Sequence, residues 1–176
     1  MNRLVRGVAA VLLPALFFAG RPAPAAEAPD PAAEAMRAVA PLAGRWEGEG
    51  TVRHGPGEPE KFVGQEKVEI RLDGQILIIE GTHWNPERTR IVHQALAVLS
   101  YDGAAKAYRF KSHLPGGRGG DFPFAIENGA FVWEIPSAKM RYTIKIDGDR
   151  WHEVGTIEKD GKPVQFFEMT LRRVGP

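Results

Sequence analysis

Two patterns of apolar and polar residues divide the chain. Ala32 to Ala40 is rich in helix formers, places Met36, Val39 and Ala40 on one face, and ends at Pro41. Asp30-Pro31 in front of it is a helix-start signal, a capping residue followed by proline at the first helical position. A short helix is therefore predicted over this stretch. From Arg45 onward the helical period disappears and two-residue alternation takes over. Asp73-Gly74, Asp102-Gly103, Asn128-Gly129, Asp147-Gly148 and Asp160-Gly161 punctuate it. Such dipeptides favour tight hairpins, because both central residues of a type I′ turn need positive φ. With further breaks at Asn85-Pro86, Pro115-Gly116-Gly117 and Pro136, about ten strands are predicted: 45–54, 61–72, 75–84, 90–101, 106–114, 121–127, 130–135, 139–146, 150–158 and 163–173. Short turns between consecutive strands specify an up-and-down antiparallel meander. Closing it into a single barrel removes its two exposed edges.

Alternation also separates inside from outside. In 61–72 the apolar face carries Phe62, Gly64, Glu66, Val68, Ile70 and Leu72, with Glu66 its one charged member. In 139–146, Met140, Tyr142, Ile144 and Ile146 oppose Lys139, Arg141, Thr143 and Lys145. The segment 75–84 admits two registers. A two-residue turn at Asp73-Gly74 sets Leu77 and Ile79 beside Ile70 and Val68. A three-residue turn sets Ile76, Ile78 and Glu80 there, because one residue of slip exchanges the faces.

Composition narrows the classes. The 176 residues include no cysteine, which excludes disulfides, thiol nucleophiles and cysteine-ligated metals. The net charge of +1 gives no reason to expect nucleic acid as a partner. Residues 1–28 read as a signal peptide: Arg3 and Arg6, an apolar run of 14 residues from Gly7 to Gly20, then Ala23-Pro24-Ala25 and Ala26-Glu27-Ala28 as small-x-small cleavage sites. The run is too short to span a bilayer comfortably. A periplasmic or secreted protein is expected, without stable membrane insertion after cleavage. The organisation that follows is a segment 29–44 carrying the helix, then a barrel over 45–174.

A short helix, Gly44-Arg45-Trp46 opening the first strand, and an antiparallel meander ending in basic residues resemble the calycin superfamily, which includes lipocalins and fatty-acid-binding proteins. Gly44-x-Trp46 matches the lipocalin Gly-x-Trp motif. The resemblance implies a tryptophan at the closed end of the barrel under a cation from the last strand, here Arg172 or Arg173. Leu42-Ala43-Gly44-Arg45-Trp46-Glu47-Gly48-Glu49-Gly50 and Ser100-Tyr101-Asp102…Tyr108-Arg109-Phe110 resemble a bacterial exported family of unknown function with lipocalin-like barrels. The opening is also similar to nitrobindin-type haem barrels, which use a histidine near the end of the chain. No histidine follows His152 here.

The chemistry-bearing residues are dispersed. His54, His83, His93, His113 and His152 form no His-x-His or His-Glu-x-x-His pattern, so no metal site is predicted. No Gly-x-Ser-x-Gly elbow surrounds Ser100, Ser112 or Ser137. The glycine run at 116–120 lacks the Lys-Ser/Thr of a phosphate loop and reads as a portal hairpin. Carboxylates on apolar faces stand out, because burying them is costly unless they are paired. Glu66 and Glu153 are two, and Glu168 follows Phe166-Phe167. No catalytic residue is assigned. A ten-stranded barrel leaves interior space, so a small hydrophobic or amphipathic ligand is the expected partner. The cavity candidates are Glu66, Val68, Ile70, His93, Tyr108, Phe110, Tyr142, Trp151 and Glu153. The closing group is Gly44, Trp46, Arg172 and Arg173. No cofactor is expected. The alternatives are an isomerase or hydrolase pairing Glu66 with a histidine, and a haem barrel using His93 or His152.

Overall fold

The computed structural model describes residues 30–176; the signal-peptide assignment lies outside the described residues. Helix α1 spans Pro31–Ala38, and the Asp30 side chain accepts a hydrogen bond from the Ala32 N–H at 2.9 Å. A 3-10 turn over Ala40–Leu42 follows. Eleven strands then run as β1 (Gly44–Val52), β2 (Glu60–Arg71), β3 (Ile76–Trp84), β4 (Ile91–Asp102), β5 (Ala107–Leu114), β6 (Arg118–Phe122), β7 (Phe124–Glu127), β8 (Ala130–Ile135), β9 (Met140–Asp147), β10 (Arg150–Lys159) and β11 (Lys162–Gly175). They form one sheet in the order β6-β5-β4-β3-β2-β1-β11-β10-β9-β8-β7.

The expected meander is present, with one strand more than predicted. The segment read as 121–127 is two strands broken at Pro123, and the first begins inside the glycine run. Proline has no N–H for a ladder, so the chain turns a corner there. As a result the barrel is nearly, not fully, closed: β6 and β7 are the two ends of the sheet. Aromatic rings bridge this seam. Phe124 lies 5.2 Å from Tyr108 and 5.9 Å from Phe110, and Phe122 lies 6.1 Å from Trp133. The Glu134 N–H also donates to the Pro123 carbonyl at 3.2 Å.

The register of β2 with β3 is the one a two-residue turn sets: Ile70 faces Leu77, Val68 faces Ile79 and Glu66 faces Gly81. Leu72, Asp73 and Gly74 all have positive φ. Glu80 consequently points outward, 3.9 Å from Lys67.

One end of the barrel is plugged. Met36, Val39 and Leu42 bury beneath the strands, and the Tyr108 hydroxyl donates to the Ala35 carbonyl at 2.7 Å. Trp46 is fully buried there; its indole N–H donates to the Leu42 carbonyl at 2.9 Å, and its ring meets Trp151 edge-on at 5.5 Å. The Arg173 guanidinium lies 4.0 Å over the Trp46 ring and donates to the carbonyls of Ala43 and, at 3.2 Å, Pro41. Gly44 sits against this guanidinium with a φ of 132° that side chains rarely adopt. Of the two arginines proposed for closure, Arg173 makes the contact. Arg172, next to it on the strand, is exposed on the opposite face.

Candidate functional site

The plug leaves the other end of the barrel open, and a cavity of about 540 Å³ runs down from it. Most of its wall is apolar. Its polar side chains gather near the deep end on β2, β3 and β10, where alternation turns Glu66, His83 and Glu153 inward. All three are buried: Glu66 is 8% exposed, His83 6% and Glu153 7%.

Glu66 and His83 form a hydrogen-bonded pair, with Nε2 to Oε1 at 3.1 Å. The backbone explains why. Glu66 lies opposite Gly81, which has no side chain, and His83 is the diagonal neighbour two residues further along β3. A Cβ on Gly81 would come within 2.7 Å of both Glu66 carboxylate oxygens. Glycine there gives the carboxylate its place. The imidazole is held in turn by Phe62, whose ring stacks on it at 4.5 Å and 9°.

Glu153 lies on the same interior surface. The Trp151 indole N–H donates to its Oε2 at 3.2 Å. Burial, reinforced by the nearby Glu66 charge, raises its pKa from the ordinary carboxylate value to about 8. Glu153 is therefore mostly a neutral carboxylic acid at pH 7. Burial, followed by Glu153, also raises the pKa of the Tyr142 hydroxyl. Tyr142 stacks face to face with Trp133 at 4.1 Å and 1°, so each ring covers one face of the other.

His93 stands nearer the mouth, 5.3 Å from the His83 ring and open to solvent on one side. Contact with the cavity wall, then His83, then Arg118 lower its pKa below the usual imidazole range. A bulge between β3 and β4 after His83 brings Val92 and His93 together to the rim.

Among the residues predicted to line a cavity, Glu66, His93, Phe110, Tyr142, Trp151 and Glu153 do so. Val68, Ile70 and Tyr108 do not. Val68 is core below the cavity floor, Ile70 is 43% exposed near the plugged end, and Tyr108 is tied to α1. All three lie on or near the interior side, but at the wrong depth along their strands. Glu168 faces outward and is exposed, with His152 2.9 Å away; neither belongs to the cavity. His83, absent from the cavity candidates read from the sequence, is central to the site. The signal for it was Gly81 opposite Glu66. Among the described residues, no three His, Asp or Glu side chains converge as a metal-binding group.

No family model matches the chain, and no curated protein matches it. Solved structures do. Rv2717c from M. tuberculosis is similar with a TM-score of 0.59 at 15% identity, over 79% of this chain and 96% of that one. Zebrafish ileal bile acid-binding protein complexed with cholic acid gives a TM-score of 0.46 at 17% identity, over 76% of this chain and 99% of that one. The fold of the chain is calycin-like, as the Gly-x-Trp opening implied.

Proposed function

We propose that the protein is an exported lipocalin-like barrel that takes a small hydrophobic or amphipathic molecule into its interior. The observation that carries this is the cavity: about 540 Å³, walled by aromatic and aliphatic side chains, with a few polar groups converging at depth. Pockets of that size and character bury most of a small ligand, and the plug at the opposite end gives a single route of entry. Export rests on the amino-terminal pattern of charge, apolar run and small residues. Native mass spectrometry of protein purified from its own host, with uptake of a hydrophobic fluorescent probe, tests the binding. No co-purified mass together with no probe uptake refutes it.

A second reading is favoured by one specific observation, the Glu66–His83 pair facing the cavity that also holds the neutral acid of Glu153. A carboxyl hydrogen-bonded to an imidazole, beside a second carboxyl kept neutral by burial, is the equipment of acid–base chemistry. In that reading Glu66 takes a proton from carbon beside a carbonyl, Glu153 donates a hydrogen bond to the carbonyl oxygen, and the proton returns at another carbon. Deuterium uptake from D2O into an added β,γ-unsaturated ketone, lost in Glu66→Gln, is its measurement; no uptake by the wild type refutes it. A haem role has less support. Of the two histidines read for it, His152 faces away from the cavity and His93 stands at its rim rather than at its floor. A Soret band after addition of haemin would restore that reading.

A further inference from the structure

The character of the cavity floor restricts what can lie against it. Its titratable side chains include two carboxyl groups, Glu66 and Glu153, one imidazole, His83, already hydrogen-bonded to Glu66, and the Tyr142 hydroxyl. The basic residues on the wall, such as Arg53, Lys61 and Lys159, belong to the strand ends around the mouth. A fatty acid entering head first would bring a third carboxylate to two others. A ligand presenting only a carbonyl would satisfy a neutral Glu153 but turn its oxygen toward Glu66. A head group that donates hydrogen bonds suits both carboxyls.

Glu153 adds an independent requirement. It is more than nine-tenths buried and faces the cavity. Its hydrogen bond from the Trp151 indole is one it accepts. As a neutral acid it carries a hydroxyl proton, and no hydrogen bond found among the described residues accepts it. A cation arriving at this position can take the place of that proton. Aromatic rings surround this position: the mutually stacked Trp133 and Tyr142 line the cavity, and Trp151 lies at its floor. Carboxylates combined with aromatic faces are the chemistry that recognises ammonium groups.

We propose that the cavity selects amphipathic amines, with the ammonium group seated at the floor between Glu66 and Glu153 and the apolar body lying along the aromatic wall toward the mouth. This rests on the binding reading above and names the class of ligand. The groups that face the ammonium position are Glu66 on β2, His83 on β3, Tyr142 on β9 and Glu153 on β10, with His93 on β4 nearer the mouth. On binding, the proton of Glu153 leaves to solvent and the ligand's charge replaces it. Affinity for an amine therefore rises with pH while Glu153 in the free protein is still protonated.

The test is calorimetric titration of the full-length purified protein with decylamine, decanol and decanoate, three ligands that share one tail. Decylamine is expected to bind about tenfold tighter than decanol, and decanoate to bind weakest, from the value of hydrogen bonds to charged groups. Decylamine affinity should rise by up to about tenfold per pH unit between about pH 6 and 8, where the amine itself stays protonated. Glu153→Gln should abolish most of that slope and cost decylamine about tenfold, while changing decanol affinity little. If the variant does not fold, the wild-type ranking of the three head groups still decides. Decanoate or decanol binding as tightly as decylamine overturns the amine assignment and leaves the binding reading standing. Binding of none of the three, with no uptake of the fluorescent probe, overturns both.

Discussion

Replacing Glu153 with glutamine should make the folded protein more stable, by an amount that grows with pH. The wild-type carboxyl has a folded-state pKa raised to about 8 from an ordinary value of 4.5, chiefly by burial and then by the Glu66 charge. An acid whose pKa is raised on folding binds its proton more tightly in the native state. At low pH both states are protonated and the shift has no effect. As pH climbs past 4.5 the unfolded chain loses its proton while the folded protein keeps it, so each further unit favours the unfolded state by about 1.4 kcal/mol. Above about pH 8 the folded carboxyl ionises as well and the loss levels off. Between pH 5 and pH 8 the wild type should therefore lose about 3 kcal/mol from this group alone. Glutamine has no such proton, and its carbonyl can still accept from the Trp151 indole. Urea unfolding of wild type and Glu153→Gln at several pH values across this range reads the difference, because titrating groups that do not interact with Glu153 cancel between the two proteins. A stability difference that stays flat with pH refutes the assignment of a buried, neutral Glu153.

Further outcomes are expected elsewhere in the fold. Trp46→Ala should cost about 3–5 kcal/mol in chemical denaturation, as for loss of a large buried aromatic; a cost below about 1 kcal/mol would show that the closing contact contributes little. Arg173→Ala should cost about 1–3 kcal/mol, combining the cation over the indole with two carbonyl hydrogen bonds, while Arg172→Ala should cost little. Equal melting temperatures for the two would contradict this. Glu66→Gln preserves an acceptor for His83 and should cost about 1–2 kcal/mol; urea midpoints measure it, and no change would show the pair to be energetically idle. Amino-terminal sequencing of protein recovered from the host should find the mature chain starting between Ala26 and Pro31, and Met1 on membrane-bound material would refute export.

Much of the architecture was legible because alternation and turn chemistry agree. The Asp73-Gly74 turn fixes the pairing of β2 with β3, and once that turn is read as two residues, Leu77, Ile79, Gly81 and His83 all face inward. The choice between two turn lengths was what hid His83. Alternation assigns a residue to a face but says nothing of its depth, which is why Val68, Ile70 and Tyr108 were grouped with true cavity residues. Depth depends on strand tilt and on how far α1 and the turn at Ala40–Leu42 fill the barrel from below. The extra strand was missed for a local reason. Arg118-Gly119-Gly120 lacks β-formers, and its pairing with Leu114, His113 and Ser112 on β5 comes from tertiary contact rather than propensity. Glu168 follows two phenylalanines, but it alternates with the inward Phe167 and Met169 and so faces outward opposite Val154.

The balance of costs at the cavity floor argues that these polar residues serve the ligand rather than the fold. The plugged end already holds its strands together with Trp46, Leu42, Leu77, Leu99, Met169 and Leu171, all essentially inaccessible to solvent. Nothing in that packing requires two carboxyls and an imidazole immediately above it. Buried polar pairs are often no better for stability than apolar residues of the same shape, and a carboxyl forced to stay neutral costs stability at every pH above its ordinary pKa. Gly81 and Gly155 add to the expense. Each keeps a strand interior free of a side chain where a Cβ would press on Glu66 in one case and on Tyr142 and Phe167 in the other. The strands thus give up packing at the positions that shape the cavity and hold its carboxyls in place. Sites that trade stability for function have this form. The same reasoning separates the two pairs of acid and histidine in the barrel: Glu168 and His152 meet on the outer surface where water solvates them, whereas Glu66 and His83 meet buried against the cavity, each the other's hydrogen-bond partner.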